Sequence, residues 1–344
     1  MSTFLRKLFG DIIGLVFFVA AMTKLMDPVG TGLVVDAYLL NFHLDFFRPF
    51  SMAIGFVLSM AEAIVSVGIL TGTFRQFFAC AATAMILFFT GISIWLVVAD
   101  PDMDCGCFGE AIPLTHWQTL IKNLALCLFC IPAFVPYSRL GYARVHRYVA
   151  FGLGSLMILC YGVFFLIHNP LMEWTEMRPS HTVVPEGEIV DEVWEYPILP
   201  IWDGNGVDCS YVAMEGDVAL FTVYDVEGLD ASDRMKIASM AQDAVNAGYN
   251  AVLLSAGQVD IPGLDTYYAD YRKVITMNRS NGGVSFLHDG YIVKKAGIRA
   301  YPSFEQLEDL YKTDAVEAYI SSATHRSIAL QAFALVFLAV IILV

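Results

Sequence analysis

The chain has 344 residues, of which 57% are hydrophobic and 16% are charged, and its formal net charge is −14. Its mean hydropathy of +0.60 is too apolar for an ordinary soluble protein. The excess of acidic residues argues against nucleic acid and anionic lipid as partners of the polar part. The composition therefore predicts a membrane protein whose polar part carries most of the negative charge.

Apolar stretches long enough to cross a bilayer as helices recur along the chain. Such a span needs ~18 or more apolar residues. We place them at about 8–26, 51–71, 76–99, 117–136, 149–168 and 327–344. The first follows Arg6 and Lys7 and has no small-residue cleavage site behind it, so we predict an uncleaved signal anchor.

Basic residues flank alternate ends of these stretches. They are Arg6, Lys7, Arg75, Arg139, Arg144 and Arg147. Because Lys and Arg are retained on the cytoplasmic side, both chain termini are predicted to be cytoplasmic. The loop after the third stretch and the polar region 169–325 are then extracytoplasmic. We expect a protein integral to the inner (cytoplasmic) membrane, with the lipid bilayer as a partner and no nucleic acid.

The loop "DMDCGCFGE", residues 102–110, holds Cys105 and Cys107 one glycine apart. Outside the cytoplasm two close cysteines can form a disulfide. Bridged Cα atoms lie ~4.4 to 6.8 Å apart, so the chain must fold tightly at Gly106. A bridge closed over a single residue is strained and labile, which suits electron exchange. A static staple and a half-site for zinc with His116 are the alternatives. Zinc normally takes four ligands, so no metal is predicted.

Acidic residues surround this cysteine pair in the sequence. Asp102, Asp104 and Glu110 are expected to raise the pKa of either thiol, because a nearby negative charge disfavours the thiolate. A raised pKa opposes nucleophilic attack by the reduced pair. The pattern therefore favours an oxidant that hands its disulfide onward.

Charged residues also fall within the apolar stretches. Glu62 lies deep in the second stretch, where an unpaired carboxylate is expensive. Lys24 and Lys122 are its candidate partners. Glu62 either forms a buried ion pair that holds helices together or accepts a proton during thiol or quinone chemistry. A membrane quinone is accordingly a candidate cofactor.

A second cysteine pair, Cys127 and Cys130, lies one helical turn apart in the fourth stretch. At that depth a thiol stays protonated and behaves as a small apolar side chain, so packing is the favoured interpretation and a relay to a quinone is the alternative. Cys80 and Cys160 are interpreted as packing residues.

Four fragments carry a resemblance to a known family: "FFVAAMTKLMDP", "MAEAIVSVGILTG", and "CGCFG" followed by "HWQTLIKNLAL". They resemble the MauE branch of the DoxX-like membrane protein family, over about residues 8–136. The resemblance implies a four-helix membrane domain, residues 1–136, linked to forming disulfides in an exported partner. It also implies that Cys105 and Cys107 are the redox pair. A fifth membrane helix at 137–170 and a C-terminal one at 326–344 would follow the four-helix bundle.

The polar region divides into two parts. Residues 171–212 are rich in proline and are predicted to form an extended connector. From 213 to 325 the patterns predict an α/β domain, extracytoplasmic in the predicted topology. Its expected elements are the strand "DVALFTVYD", a helix at 231–248, the strand "NAVLLSA", a hairpin of "GVSFL" and "YIVKKAG" around an Asp-Gly turn, and the helix "SFEQLEDLYK".

This domain resembles thioredoxin in the order of its elements, from about 215 to 312. Where thioredoxins have CxxC it has Val226, Glu227, Gly228 and Leu229. It therefore cannot run a dithiol cycle by itself. Cys209 is its one thiol, which either forms a mixed disulfide with the loop pair or is inert.

The sequence thus predicts an α-helical integral membrane protein with an extracytoplasmic thioredoxin-like α/β domain. The leading functional hypothesis is a membrane thiol-disulfide oxidoreductase, or an accessory to one. It would pass electrons between the Cys105 and Cys107 pair and an exported protein substrate or thiol-disulfide partner. The alternative is a non-catalytic membrane scaffold with a static loop disulfide and an outer domain that docks a partner.

Overall fold

The computed structural model describes residues 3–101, 103–136, 143–168, 173–184 and 198–314, and also residues 170, 316–318, 320, 331, 333 and 334. The chain divides into two compact units. The first comprises Met1–Leu166 and Leu330–Val344, and the second Ile167–Ala329.

The first unit is helical. Its elements are α1 (Thr3–Met26), α2 (Pro28–Asn41), α3 (Ser51–Thr71), α4 (Arg75–Ala99), the short strand β1 (Cys107–Glu110), α5 (His116–Phe134) and α6 (Val145–Ile167). A short 3-10 helix, Asp45–Phe50, precedes α3.

Within the described residues, five helices are long and apolar enough to cross a membrane. They are Phe4–Met26, Asp45–Thr71, Arg75–Ala99, His116–Phe134 and Val145–Ile167. The first five predicted spans are confirmed to within a few residues. The sixth, 327–344, lies outside the described residues except for helical backbone at 331, 333 and 334.

Helix α2 was not predicted. It begins where the Asp27 side chain accepts a hydrogen bond from the Gly30 amide at 2.9 Å, with Pro28 as its first residue. It lies against the start of α3 so closely that a Cβ on Gly32 would be 2.9 Å from the Cα of Met52. Its 14 residues are too few to span a bilayer, which is why a search for spans passes over it.

Small residues allow the membrane helices to approach each other. α1 packs against α3 and α5, and α4 packs against α5. The Ser66 hydroxyl of α3 donates a hydrogen bond to the Gly14 carbonyl of α1 at 2.9 Å. Close backbone approach at glycine and serine is the usual basis of helix association in lipid. A core that includes Ile13, Phe78 and Leu126 completes the packing.

Arginine side chains gather at one end of this unit. Arg6 donates hydrogen bonds to the carbonyls of Ala133, Phe134 and Pro136, at 3.0 to 3.1 Å, where α5 ends. Basic side chains commonly satisfy the last carbonyls of a helix. In the same way, an Arg147 Nη1 donates to the last carbonyl of α3, at Thr71 (3.0 Å). The loop between α4 and α5 lies at the opposite ends of these helices. Arg139 lies outside the described residues.

The described residues of the second unit form a five-stranded sheet with helices. The strands are β2 (Asp217–Val223), β3 (Asn250–Ser255), β4 (Asp265–Tyr268), β5 (Gly283–His288) and β6 (Tyr291–Ala296), and the helices are α7 (Ala231–Ala247), α8 (Tyr271–Met277) and α9 (Phe304–Lys312). The strand order is β4-β3-β2-β5-β6, with β2 parallel to β3 and antiparallel to β5. The predicted strands, hairpin and two longer helices are confirmed, whereas β4 and α8 were not predicted.

Alternate side chains of β2 enter two different cores. Leu220 belongs to the core on the α8 side, and Phe221 to the core on the side of α7 and α9. This alternation follows from the two-residue period of a strand.

Within the predicted extended connector, 171–212, the described residues 173–184 and 198–212 are instead part of the sheet domain. Their buried side chains contribute to the core on the α8 side: Met177, Val183, Leu199, Ile201, Cys209 and Val212. The segment also covers both sheet edges, since Trp202 pairs with Tyr268 of β4 and Thr182 with Tyr291 of β6. Buried side chains in irregular backbone do not recur at a fixed spacing, so the hydropathy pattern of the sequence did not predict them. The domain therefore starts well before residue 213.

Candidate functional site

The loop between α4 and α5 is closed by a histidine. The His116 ring hydrogen-bonds the Asp100 carboxylate through Nδ1 at 3.1 Å and the Met103 carbonyl through Nε2 at 3.0 Å. His116 thus joins the end of α4, the loop and the start of α5. Among the described residues there is no group of three or more His, Cys, Asp or Glu side chains that could hold a metal ion.

Gly106 sets the shape of the cysteine pair. Its φ of +65° is a conformation that side-chain-bearing residues rarely adopt, and a Cβ there would lie 2.3 Å from Cγ1 of Val34. The Tyr38 hydroxyl donates a hydrogen bond to the Cys105 carbonyl at 2.9 Å. Val34 and Tyr38 both belong to α2, so this unpredicted helix helps His116 to fix the position of the loop.

The two cysteines are free thiols that contact each other. Cys105 is buried and Cys107 is half-buried. The Cys107 amide donates a hydrogen bond to the Cys105 sulfur at 3.5 Å. The predicted proximity of the pair is therefore present in the dithiol form.

The two thiols differ in acidity. The hydrogen bond from the Cys107 thiol lowers the pKa of Cys105 to about 5, although burial opposes this. The Thr119 hydroxyl, the Cys107 amide and the charge of Lys122 lower the pKa of Cys105 further. The pKa of Cys107 is raised, first by its hydrogen bond to Cys105 and then by burial. Cys105 is therefore the thiolate of the pair and Cys107 the thiol.

The expectation that acidic neighbours raise both thiol pKa values is wrong for Cys105. The groups that set its pKa are brought in by α5 and by Cys107, rather than by the carboxylates of Asp104 and Glu110. Asp102 lies outside the described residues. Counting the charges near Cys105 in the sequence was a poor guide, because its largest contribution is the hydrogen bond from the Cys107 thiol, and α5 adds Thr119 and the charge of Lys122.

A cavity of about 270 Å³ among the helices of the first unit is lined by both cysteines of the thiol pair. Lys24 and Glu62 lie on its wall and form an ion pair between Nζ and Oε2, with side chains only 10% and 4% exposed. Lys24, rather than Lys122, is thus the partner of Glu62. Lys122 also lines the cavity, with its Nζ 4.9 Å from the centroid of the Phe108 ring.

The structure therefore brings together the residues predicted within the membrane part. One cavity is lined by Cys105, Cys107, Glu62, Lys24 and Lys122. Cys209 is separate from this group, because it is 9% exposed within the core of the second unit. Such burial is typical of an inert structural cysteine.

Sequence reasoning missed Tyr38, Thr119 and Asn123, which line the same cavity. Asn123 donates hydrogen bonds to Ser93 Oγ at 2.6 Å and to the Phe89 carbonyl at 3.1 Å. The sequence did contain a signal for two of these residues, Thr119 and Asn123. The capping box of Thr115 and Gln118 fixes the start of α5.

From that start, helical spacing places residues 119, 122 and 123 on one face of α5. Tyr38 depended on recognising α2.

The second cysteine pair lies away from this cavity. Cys127 Sγ is 3.4 Å from Thr90 Oγ1, and Cys130 is buried in the apolar core of the helices. Neither residue lines the cavity. These contacts agree with the packing interpretation.

Fold and site together define a class, an α-helical membrane protein with a thiol pair in an interhelical loop and a separate α/β sheet domain. Residues 3–136 match the family model described as "Methylamine utilisation protein MauE". The MauE resemblance seen in the sequence is thereby confirmed for this part of the chain. No curated protein and no solved structure matches the chain.

Proposed function

We propose that the protein is a membrane thiol-disulfide oxidoreductase, or an accessory to one, that oxidises an exported partner protein through Cys105 and Cys107. The observation that carries this proposal is the contact between the two cysteines in the wall of a cavity. There Cys105 is held as a thiolate by Cys107, Thr119 and Lys122. A perturbed, paired thiol of this kind is the mark of a reactive cysteine.

The exchange balances as two successive displacements. A thiolate of the partner attacks the Cys107 sulfur of the Cys105–Cys107 disulfide, and the Cys105 thiolate leaves. Cys107 is the less buried of the two, and the thiol with the lower pKa is the better leaving group. A second partner thiolate then attacks the mixed disulfide, and Cys107 leaves and takes up a proton. The partner loses two electrons and two protons. The pair gains both electrons and one proton, on Cys107, and the other proton passes to water because Cys105 stays a thiolate.

The acidity of Cys105 also favours this direction. A stabilised thiolate lowers the free energy of the dithiol form, so the corresponding disulfide is a stronger oxidant. The direction is the one expected from the sequence, but its cause is the lowered pKa of Cys105 instead of acidic neighbours.

For the orientation, we propose that the loop and residues 169–325 are extracytoplasmic. Support comes from Arg6 and Arg147, which lie at the helix ends opposite the loop. Protease added to intact spheroplasts should therefore cut within 169–325. Cleavage only after lysis would place the thiol pair in a reducing compartment and contradict the oxidising role.

For the second unit, we propose a degenerate thioredoxin-like domain that binds the partner protein. The strand order β3-β2-β5-β6 and the helix after the hairpin support this assignment. Cys209 is buried, so the domain would dock the partner without exchanging electrons. The name of the matching family favours an accessory role in methylamine utilisation.

The test is covalent trapping. In Cys105→Ser, Cys107 can still attack the disulfide of the oxidised partner, but Cys105 is no longer there to displace the partner from Cys107. The partner should therefore accumulate as a mixed disulfide on Cys107 and can be identified by mass spectrometry. Cys160→Ser, an exposed cysteine of α6, is the matched control and should trap nothing. If the double variant Cys105→Ser, Cys107→Ser sustains full partner oxidation in cells, the scaffold hypothesis replaces this one.

A further inference from the structure

The cavity next to the thiol pair has the size of a small-molecule site. Its volume of about 270 Å³ is close to the lower end of the ~300–1,000 Å³ typical of ligand pockets. Cys105 and Cys107 line it, and so do Lys24 and Glu62, which form an ion pair. That volume suits one ring system and leaves no room for a folded peptide segment.

The walls of the cavity suit a flat, lipid-soluble molecule. Aromatic side chains of α2 and α4 line it, among them Tyr38 and Phe89. The lining also includes Phe42, Leu58 and Phe88, whose side chains are 41%, 39% and 58% exposed on the outside of the helices. In a bilayer these exposed side chains face lipid. A ligand could therefore enter from the hydrocarbon without crossing the polar loop.

The polar groups in the cavity are placed for a ligand that gains negative charge. The described residues that line it include two lysine ammonium groups, those of Lys24 and Lys122. A buried ammonium can donate hydrogen bonds to an oxygen that becomes anionic, and in apolar surroundings that interaction is strong. Glu62, paired with Lys24, provides a site where a proton can be held.

We propose that this cavity binds a membrane quinone, which the dithiol of Cys105 and Cys107 reduces to the quinol. This inference rests on the proposed function, because it supplies the electron acceptor that re-forms the disulfide after each exchange with the partner. The sequence made a membrane quinone a candidate cofactor, and this proposal assigns that quinone to the cavity.

The reaction is balanced without another oxidant or reductant. Cys105, as the thiolate, and Cys107, as the thiol, together lose two electrons and one proton as the S–S bond forms. The quinone gains both electrons, that proton and a second proton from water to become the quinol. The Cys105 thiolate attacks the ring, and Cys107 then attacks the Cys105 sulfur and releases the reduced ring. Lys24 and Lys122 stabilise the oxygen as its charge develops.

The experiment uses the full-length protein, reduced and purified in detergent, with decylubiquinone added without oxygen. One quinol should form per dithiol, as followed by ultraviolet absorbance, while the pair becomes a disulfide. Ser59 lines the cavity on α3, so Ser59→Leu fills it and should slow quinol formation roughly tenfold or more. Ser155→Leu makes the same change on α6, away from the cavity, and should leave the rate unchanged.

Two further measurements keep the outcomes distinct. Decylubiquinol, the product, cannot oxidise the pair, so it should protect Cys105 of the reduced, unsubstituted protein from alkylation in a saturable way only by occupying the cavity. This tests binding even if Ser59→Leu fails to fold. Exchange of the pair with oxidised glutathione, without quinone, tests the proposed function alone. Normal exchange with no quinol formed, or with no saturable protection of Cys105, would overturn the quinone site. Loss of exchange as well would overturn the proposed function.

Discussion

Each unit of the described chain buries a lysine-glutamate ion pair, and the two pairs have different surroundings. Lys295 and Glu173 lie 2.6 Å apart in the second unit, with side chains 1% and 4% exposed, and connect the segment before the sheet to β6. Lys24 and Glu62 are buried to a similar degree, but they form part of a cavity wall beside two thiols. Burial and pairing alone therefore do not identify a functional charge. We propose a functional role for Lys24 and Glu62, and not for Lys295 and Glu173, because Lys24 and Glu62 line the cavity that Cys105 and Cys107 also line.

The largest expected effect is on stability and concerns the pair in the sheet domain. Lys295→Met leaves the Glu173 carboxylate buried without its partner, which should lower the free energy of unfolding of this unit by about 3–5 kcal/mol. Urea denaturation followed by tryptophan fluorescence measures it. The exposed pair of Lys236 and Asp233 is the control, since Lys236→Met should change stability by less than about 1 kcal/mol. Equal effects of the two substitutions would contradict the account.

The matching change in the membrane unit should affect both stability and chemistry. Glu62→Gln leaves the Lys24 ammonium without a counter-charge, so we expect a loss of about 2.5–3.5 kcal/mol in detergent. It should also slow quinol formation, whereas Glu173→Gln should leave that rate unchanged. The double variant Lys24→Leu, Glu62→Leu should recover most of the stability, because an apolar pair can replace a buried ion pair. It should not recover the rate, and a full recovery of the rate would remove the ion pair from the chemistry.

A smaller effect is expected at the glycine between the cysteines. Gly106→Ala forces a side chain into a left-handed conformation, which costs about 1–2 kcal/mol, and against Val34. The loop should shift, and the reaction of Cys105 with a small disulfide should slow. Gly91→Ala on α4 is the control, since a Cβ there meets no atom within 4 Å and alanine favours a helix. Unchanged thiol reactivity in Gly106→Ala would show that the tight turn is not needed.

The smallest effect expected is on the acidity of Cys105. Because its pKa is about 5, the thiolate predominates above that pH. The rate of alkylation should therefore be flat from about pH 8 to pH 6 and fall as the pH drops through 5, unlike an ordinary thiol of pKa ~8.5. Mass spectrometry of the alkylated peptide gives the profile.

Two variants rank the causes of this acidity. Cys107→Ala should raise the pKa of Cys105 most, because the hydrogen bond from Cys107 is its largest cause. Lys122→Met should raise it less, because the charge of Lys122 is the last of the contributions. The reverse order would contradict the assignment of Cys107 as the hydrogen-bond donor.

The sequence was informative where a pattern repeats or a residue stands out against its surroundings. Long apolar runs predicted the spans of α1 and of α3 to α6, and Glu62 was conspicuous within one of them. The thiol pair was recognised from its own spacing. Each of these signals is local, so each survives without knowledge of the fold.

The features that the sequence did not reveal depend on distant contacts. Helix α2 is too short for a span, yet it supplies Tyr38 and Val34 to the loop. The lowered pKa of Cys105 depends first on the hydrogen bond from Cys107 and then on Thr119 and Lys122 of α5, and counting the charges along the chain could show none of these. In the sheet domain, the segment at 171–212 adds core residues singly, without any period to detect.

The most direct test of the central claim is the reduction potential of the Cys105 and Cys107 pair. The full-length protein is equilibrated in glutathione or dithiothreitol redox buffers, and the oxidised fraction is read from the mass added by thiol alkylation. A redox pair that hands its disulfide to a partner should titrate in the range of roughly −120 to −270 mV found for thiol-exchange proteins. A value below about −300 mV is typical of structural disulfides and would contradict the account.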